Sequence, residues 1–396
     1  MRVDVRRAIG ALTTAAVLGI GAATVATATV SSFGPAAPVT SGGAYDRNPS
    51  VVQDGAVTRA FFARTQLTAC DRLAGCPADN TLYDLYEMVS ADGGATWGAP
   101  QEIADNSLFP DSPWNDPSYG RTVAATRTAS GALHVFWASG GNTSSLVYGV
   151  KPPASSTWTW SSRDDLPVFN VEAVSKGDTT FVYYEDGLEG SIKVMTFDGA
   201  TFGTPQTVLA SANIPKAIVD ASGIVRLTAV NASAWPVVNV LLTSSTDGVT
   251  FGAPVVAIAG DGVVTNWDPS LAQAADGSYH LFHAPDQGDG RQVIEHRVSA
   301  TFEGLASAAP TQLTTGTDGA TVYWDYWPEA FSSGSTLRLL FTSEAGTPPG
   351  TGHVWATSAA VTLPGPVTAE DCKNGGWRDF GFRNQGACVS SVAGRR

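Results

Sequence analysis

Lysine is scarce in this chain. Its 396 residues include five, at positions 151, 176, 193, 216 and 373, and Lys and Arg together number 23 against 36 Asp and Glu, a formal charge of −13. With no basic stripe to neutralise phosphates, a nucleic-acid partner is excluded. Charged residues of both signs make up only 15%, below the roughly 25% of an average soluble protein. The four cysteines show neither a CxxC spacing nor a nearby histidine cluster, so no metal site is implied. EF-type spacing for calcium is also missing. No glycine-rich phosphate loop follows a strand and opens a helix, so no organic cofactor is expected. Beyond the N-terminus, no apolar run is long enough to span a membrane.

What the chain does contain is glycine, proline and aromatics. There are 42 Gly and 23 Pro, spread throughout, and hydrophobic residues reach 43% with 11 Trp. Disorder is thereby excluded, and many short strands joined by tight turns are predicted. Arg2, Arg6 and Arg7 precede an uncharged stretch from Ala8 to Tyr45, and Ala26-Thr27-Ala28 supplies a small-residue cleavage pattern. This predicts a secretory signal over residues 1–28 and an exported protein. In that setting the cysteines read as two local disulfides, Cys70 with Cys76 and Cys372 with Cys388. The second would staple a C-terminal tail, residues 367–396. The segment CKNGGWRDFGFRNQGACV within it resembles a Cys-bracketed piece that closes many secreted bacterial proteins of unrelated type.

Internal repeats decide the architecture. Thr followed by Trp or Phe occurs at 96/97, 157/158, 201/202, 250/251 and 301/302. Turn glycines at Gly55, Gly131, Gly177, Gly223, Gly277 and Gly334 each precede an apolar strand, RAFFAR, LHVFWAS, FVYYED, IVRLTAV, YHLFHAP and LRLLFTSE. Upstream lies a third marker: Asn48-Pro49-Ser50, Asp116-Pro117-Ser118, Asp268-Pro269-Ser270 and the variant Pro328-Glu329-Ala330. Six units follow, at about 45–110, 111–165, 166–212, 213–264, 265–321 and 322–366, each with room for four strands. The predicted fold is all-β, a six-bladed β-propeller occupying residues 29–366. Two packed sandwiches are the alternative. Residues 65–82, which hold Cys70 and Cys76, read as an insertion after a second strand.

The turn Ser90-Ala91-Asp92-Gly93-Gly94-Ala95-Thr96-Trp97 resembles the Asp-box, SxDxGxTW, of the sialidase-type propeller superfamily. Shorter forms occur at Asp198–Phe202 and Asp247–Phe251 and degenerate forms at 155–158 and 299–302. The resemblance implies four-stranded blades, with these boxes as scaffold on the face opposite the functional one. That functional face is formed by the loops leading into first strands and those joining second to third strands. It collects Asp46, Arg47, Trp114, Asp116, Glu185, Trp267, Asp268, Arg291, Asp325, Tyr326 and Trp327. Aromatic platforms and carboxylates suit a carbohydrate ligand. Many of the same residues also suit plain structural duties, as turn caps or blade-to-blade packing.

Arg47-Asn48-Pro49 looks like the Arg-Ile-Pro motif of sialidases, whose Arg holds the substrate carboxylate, and Tyr326 stands where the family places its nucleophilic Tyr. The resemblance then implies Asp116 as acid/base and Glu185 as the carboxylate activating Tyr326. Arg291 is a second arginine, and no third is identified among Arg72, Arg121 and Arg226, so sialic acid is not specified. Three readings follow: an exo-acting glycoside hydrolase on acidic or complex glycans; a non-catalytic propeller binding glycan or protein through its Trp-rich rim; and an inverting glycosidase or polysaccharide lyase. A monomer without membrane attachment after signal removal is expected.

Overall fold

Alternation of apolar and polar residues between close turns produces short antiparallel strands. The computed structural model describes residues 29–42, 44–65, 83–108, 122–138, 145–318, 321–345, 352–362, 369–370, 372–373 and 383–393. The expected signal over residues 1–28, Cys70, Cys76, Trp114 and Asp116 lie outside them. The described strands build six blades. Blade one comprises Tyr45–Asp54, Val57–Thr65, Asp84–Ser90 and Gln101–Ala104, and blade two Val123–Arg127, Leu133–Ala138, Leu146–Lys151 and Thr159–Arg163. Blade three comprises Val168–Lys176, Thr179–Asp186, Ser191–Phe197 and Gln206–Leu209, and blade four Asn213–Val219, Val225–Ala234, Val237–Ser245 and Val255–Ile258. Blade five comprises Thr265–Gln273, Tyr279–Asp286, Glu295–Ser299 and Thr311–Gln312. Blade six takes Asp325–Ser333, Thr336–Ser343 and His353–Thr362 from the C-terminal side, and Thr29–Val30 and Ala37–Pro38 from the N-terminal side pair with its third strand. Each first strand packs on those of both neighbouring blades, the sixth on the first, so the ring is closed.

The core is divided into six apolar wedges between neighbouring blades. Trp137 and Phe61 meet between blades one and two, Phe136 and Tyr184 between two and three, and Tyr183 and Leu227 between three and four. The remaining wedges hold Val240 with Leu281, Phe282 with Phe341, and Phe62 with Leu340. The aromatic after each repeated Thr fills one wedge against the preceding blade: Trp97, Trp158, Phe202, Phe251 and Phe302 each join a different cluster. The turns before them are tied by their own side chains. Asp92 accepts the Ala95 and Thr96 amides at 2.9 Å each, and Asp247 accepts those of Val249 and Thr250 at 2.9 and 2.7 Å.

The x-Pro-Ser marker has a backbone origin. Register breaks in five first strands, between Arg47 and Ser50, Val168 and Val171, Asn213 and Lys216, Trp267 and Ser270, and Tyr326 and Glu329. In four of these bulges the residue before proline has positive φ: Asn48 (52°), Ile214 (50°), Asp268 (47°) and Trp327 (50°). Proline suits the site because it offers no N–H to a ladder and bars its predecessor from the right-handed helical region. The serine that follows serves the next blade: Ser50 Oγ accepts the Ala125 amide at 2.9 Å and Ser270 Oγ that of Ala330 at 3.1 Å. In the tail, Cys372 and Cys388 form the expected disulfide, the latter on the helix Gln385–Ala393. No described helix is long and apolar enough to cross a membrane.

Candidate functional site

Antiparallel order puts the starts of first strands and the second-to-third turns on one face, with the Asp-box-like turns on the other. The bulges lie near the first face, where Asn48, Ile214, Lys216 and Trp327 from three first strands line a small space between them. Non-glycine residues at positive φ cost energy and cluster at functional sites, so four around one axis mark this end of the ring.

Arg47 is buried, and its guanidinium lies 4.1 Å from the centre of the Trp327 ring and 5.4 Å from those of Tyr45 and Tyr83. Its Nη1 donates to the Tyr83 hydroxyl at 3.0 Å. The Tyr326 ring is 4.6 Å from Trp327 and its phenol donates to Glu344 Oε1 at 3.4 Å; the Tyr45 phenol reaches the same oxygen at 3.2 Å. Blades one and six thus join in an aromatic box that holds one guanidinium and a carboxylate bridged by two phenols.

Asp268 faces this box from blade five. Burial pushes its carboxyl up to about 7, against the Trp327 amide and the charges of Lys216 and Arg47. Asp325 is likewise pushed up to about 6 by burial, against hydrogen bonds from Ser343 and Thr314. Beneath them, Lys216 Nζ bridges Glu329 at 2.9 Å and Glu172 at 3.1 Å. Although its own burial works against the charge, the two carboxylates hold Lys216 above the ordinary lysine range. Burial pushes Glu172 up to about 7. The Glu172–Lys216–Glu329 bar spans the axis from blades three, four and six, and an axial cavity of about 410 Å³ lies against it.

Several sequence-predicted residues lie elsewhere. Asp46 is fully buried and receives a bidentate pair from Arg64 at 2.5 and 2.8 Å. Glu185 does not supply the carboxylate seen at Tyr326. It accepts from Asn170 Nδ2 at 2.6 Å, Asn213 Nδ2 at 2.7 Å and the Ile214 amide at 3.2 Å, tying blade three to four. Arg291 is ion-paired at 2.8 Å with Asp289 in an exposed loop. Trp267 donates its indole N–H to Thr265 at 3.0 Å and lies tilted against Trp235, with ring centres 5.8 Å apart. Arg226 is held by Asp220 and Glu303, while Arg72 and Arg121 lie outside the described residues. The described residues do not assemble a cradle of three arginines.

Glu344 and Lys216 were harder to find by sequence. Glu344 closes the apolar run LRLLFTSE, just past the end of the second strand of blade six, whereas Glu185 lies within its own strand. Lys216 is a lone lysine on an otherwise apolar inner strand, and with only five in the chain that placement was its one available signal.

No family model matches the chain, and no curated protein matches it in sequence. Among solved structures, it is similar to a protein of unknown function from Dyadobacter fermentans, with TM-score 0.62, 15% identity and coverage of 82% of this chain and 98% of that one. It is also similar to the NanB sialidase of Streptococcus pneumoniae, at TM-score 0.55 and 9% identity over 83% of this chain and 70% of that one. Phage phi92 endosialidase gives TM-score 0.58 and 10% identity, covering 85% and 70%. At such identities the likeness is one of fold, and fold alone does not transmit activity. The chain has the fold of the sialidase-like six-bladed β-propellers.

Proposed function

We propose that this is an exported, carbohydrate-active propeller, an exo-acting glycoside hydrolase that takes a terminal acidic sugar in the aromatic box. The observation that carries the reading is the Tyr326–Glu344 contact beside Arg47. A phenol is a poor nucleophile at neutral pH, and a carboxylate within hydrogen-bond reach activates it. In the proposed reaction the Tyr326 oxygen bonds to the anomeric carbon as the bond to the leaving oxygen breaks. Glu344 takes the phenolic proton, and Asp116 gives one to the leaving group. Water then cleaves the glycosyl-tyrosine. Arg47 provides one cationic anchor, so a uronic acid or another singly anchored sugar acid fits as well as sialic acid.

The test is turnover of aryl sialosides, glucuronosides and galacturonosides by purified protein. Tyr326→Phe is expected to reduce kcat at least about a hundredfold, in the range of nucleophilic and acid–base residues, while the thermal midpoint stays within a few degrees. Wild-type rates in Tyr326→Phe would overturn it.

A second reading rests on a specific observation: Arg47 and Tyr326 are only 4% and 3% exposed. A non-catalytic glycan-binding propeller would accommodate that burial. It predicts binding without turnover, lost in Trp327→Ala and unaffected by Asp116→Asn.

A further inference from the structure

One aromatic pair on the functional face lies outside the box, with one ring anchored in a blade wedge and the other in solvent. Trp235, in the second-to-third turn of blade four, is 64% exposed, and its ring lies 5.8 Å from that of Trp267 at an interplanar angle of 33°. Trp267 is fixed from behind through its hydrogen bond to Thr265 and packs with the blade four and five core. The exposed indole is therefore held on a backing, at low cost in side-chain entropy. The neighbouring loop leans on the same turn: a Cβ at Gly262 would lie 3.8 Å from Pro236 and 3.7 Å from Val237. That loop presents Val263, 72% exposed, and Asp261, whose carboxylate is occupied by the Val263 and Val264 amides.

Sequence ties this platform to the box. Trp267 immediately precedes Asp268, and the bulge at Asp268 sends the two side chains different ways, the carboxyl to the buried centre and the indole to the rim. We propose that Trp235, backed by Trp267, is a stacking subsite for a sugar farther along the ligand, so that the protein recognises an oligosaccharide and not a single terminal residue. This rests on the glycan reading of the central box. The distal sugar is neutral, because the exposed acid of the neighbouring loop, Asp261, disfavours a second carboxylate. Its apolar C–H face covers the indole and its hydroxyls meet the polar groups of Asn231 and Ser233 at the end of the preceding strand.

Calorimetric titration of the full chain with N-acetyllactosamine oligomers of one, two and three repeats, each uncapped, capped with sialic acid or capped with glucuronic acid, tests this. Wild-type affinity is expected to rise about tenfold from one to three repeats, as one well-formed stacking contact provides. In Trp235→Ala that ratio falls to near one, and Trp235→Phe restores part of it. An unchanged ratio in Trp235→Ala, no length dependence in the wild type, or no binding of any oligomer would each overturn the subsite. The central reading fails separately, if the caps add no affinity and Arg47→Ala binds every oligomer as the wild type does. Trp235-dependent length discrimination with that result would leave the subsite standing alone.

Discussion

Asp268 shows how one residue serves position and chemistry together. Proline after it and a positive φ set its direction, and burial sets its charge. With its carboxyl raised to about 7, Asp268 keeps its proton well above the pH at which an ordinary aspartate loses it. A stability consequence follows. The folded state keeps a proton that the unfolded chain loses near pH 4, so Asp268 erodes stability as pH rises from about 4 to 7, by at most about 1.4 kcal/mol for each pH unit. In Asp268→Asn this contribution vanishes. Chemical denaturation at several pH values should show the variant gaining stability relative to wild type between pH 4 and 7, then a constant difference above. A difference independent of pH would show that the carboxyl ionises normally.

At the scale of the element, the bulged first strand matters most. Its serines satisfy amides of the neighbouring blade that would otherwise face the axis unpaired. Ser270→Ala strands the Ala330 amide in a buried setting, at a cost of about 1–3 kcal/mol. Thermal melts should therefore separate it clearly from a control such as Ser222→Ala. This also explains what was legible in the sequence. Period-two strands, turn glycines, the wedge aromatics and the proline–serine pairs each answer to a local backbone need, and they recur because every blade has that need. The site lacks such periodicity. Arg47 and Tyr326 were found because each stands at a fixed offset from a bulge proline. Which acid meets Tyr326 depends on strand pairing, since Glu344 follows the strand laid beside it in blade six whereas Glu185 sits in blade three, and spacing along the chain carries no information about that. Likewise, Lys216 is recognisable as a cross-bar only once Glu172 and Glu329 are seen across the axis from it.

For the whole molecule, the question is what closes the ring. Five wedges are filled by the aromatic of a third-to-fourth turn, but among the described residues blade six has no outer strand following its third in the chain. The N-terminal strands take that place, and Phe33 between them enters the wedge between blades five and six, with its ring 5.7 Å from Phe282 and 5.4 Å from His296. Phe33 is thus the sixth wedge aromatic, supplied from the opposite end of the sequence. It covers an ionisable pair: His280 and His296 are stacked, hydrogen-bonded at 2.8 Å, and pushed down by burial to about 4 and about 3. Both stay neutral when folded and take up protons when unfolded below about pH 6.5, so their contribution to stability is lost as pH falls from there. The closing wedge is consequently acid-sensitive, as is the one between blades two and three, where burial pushes His134 down to about 4. Phe33→Ala should cost about 2 kcal/mol, below the range for a fully buried aromatic because the ring is only half-buried, comparable to Phe251→Ala, also half-buried, in a wedge without histidine. Only Phe33→Ala should expose the third strand of blade six, His353–Thr362, to rapid amide exchange at pH 5 while leaving it protected at pH 7. Equal exchange at both pH values, or loss of protection spread evenly over all six blades, would show that the ring opens without regard to where its ends meet.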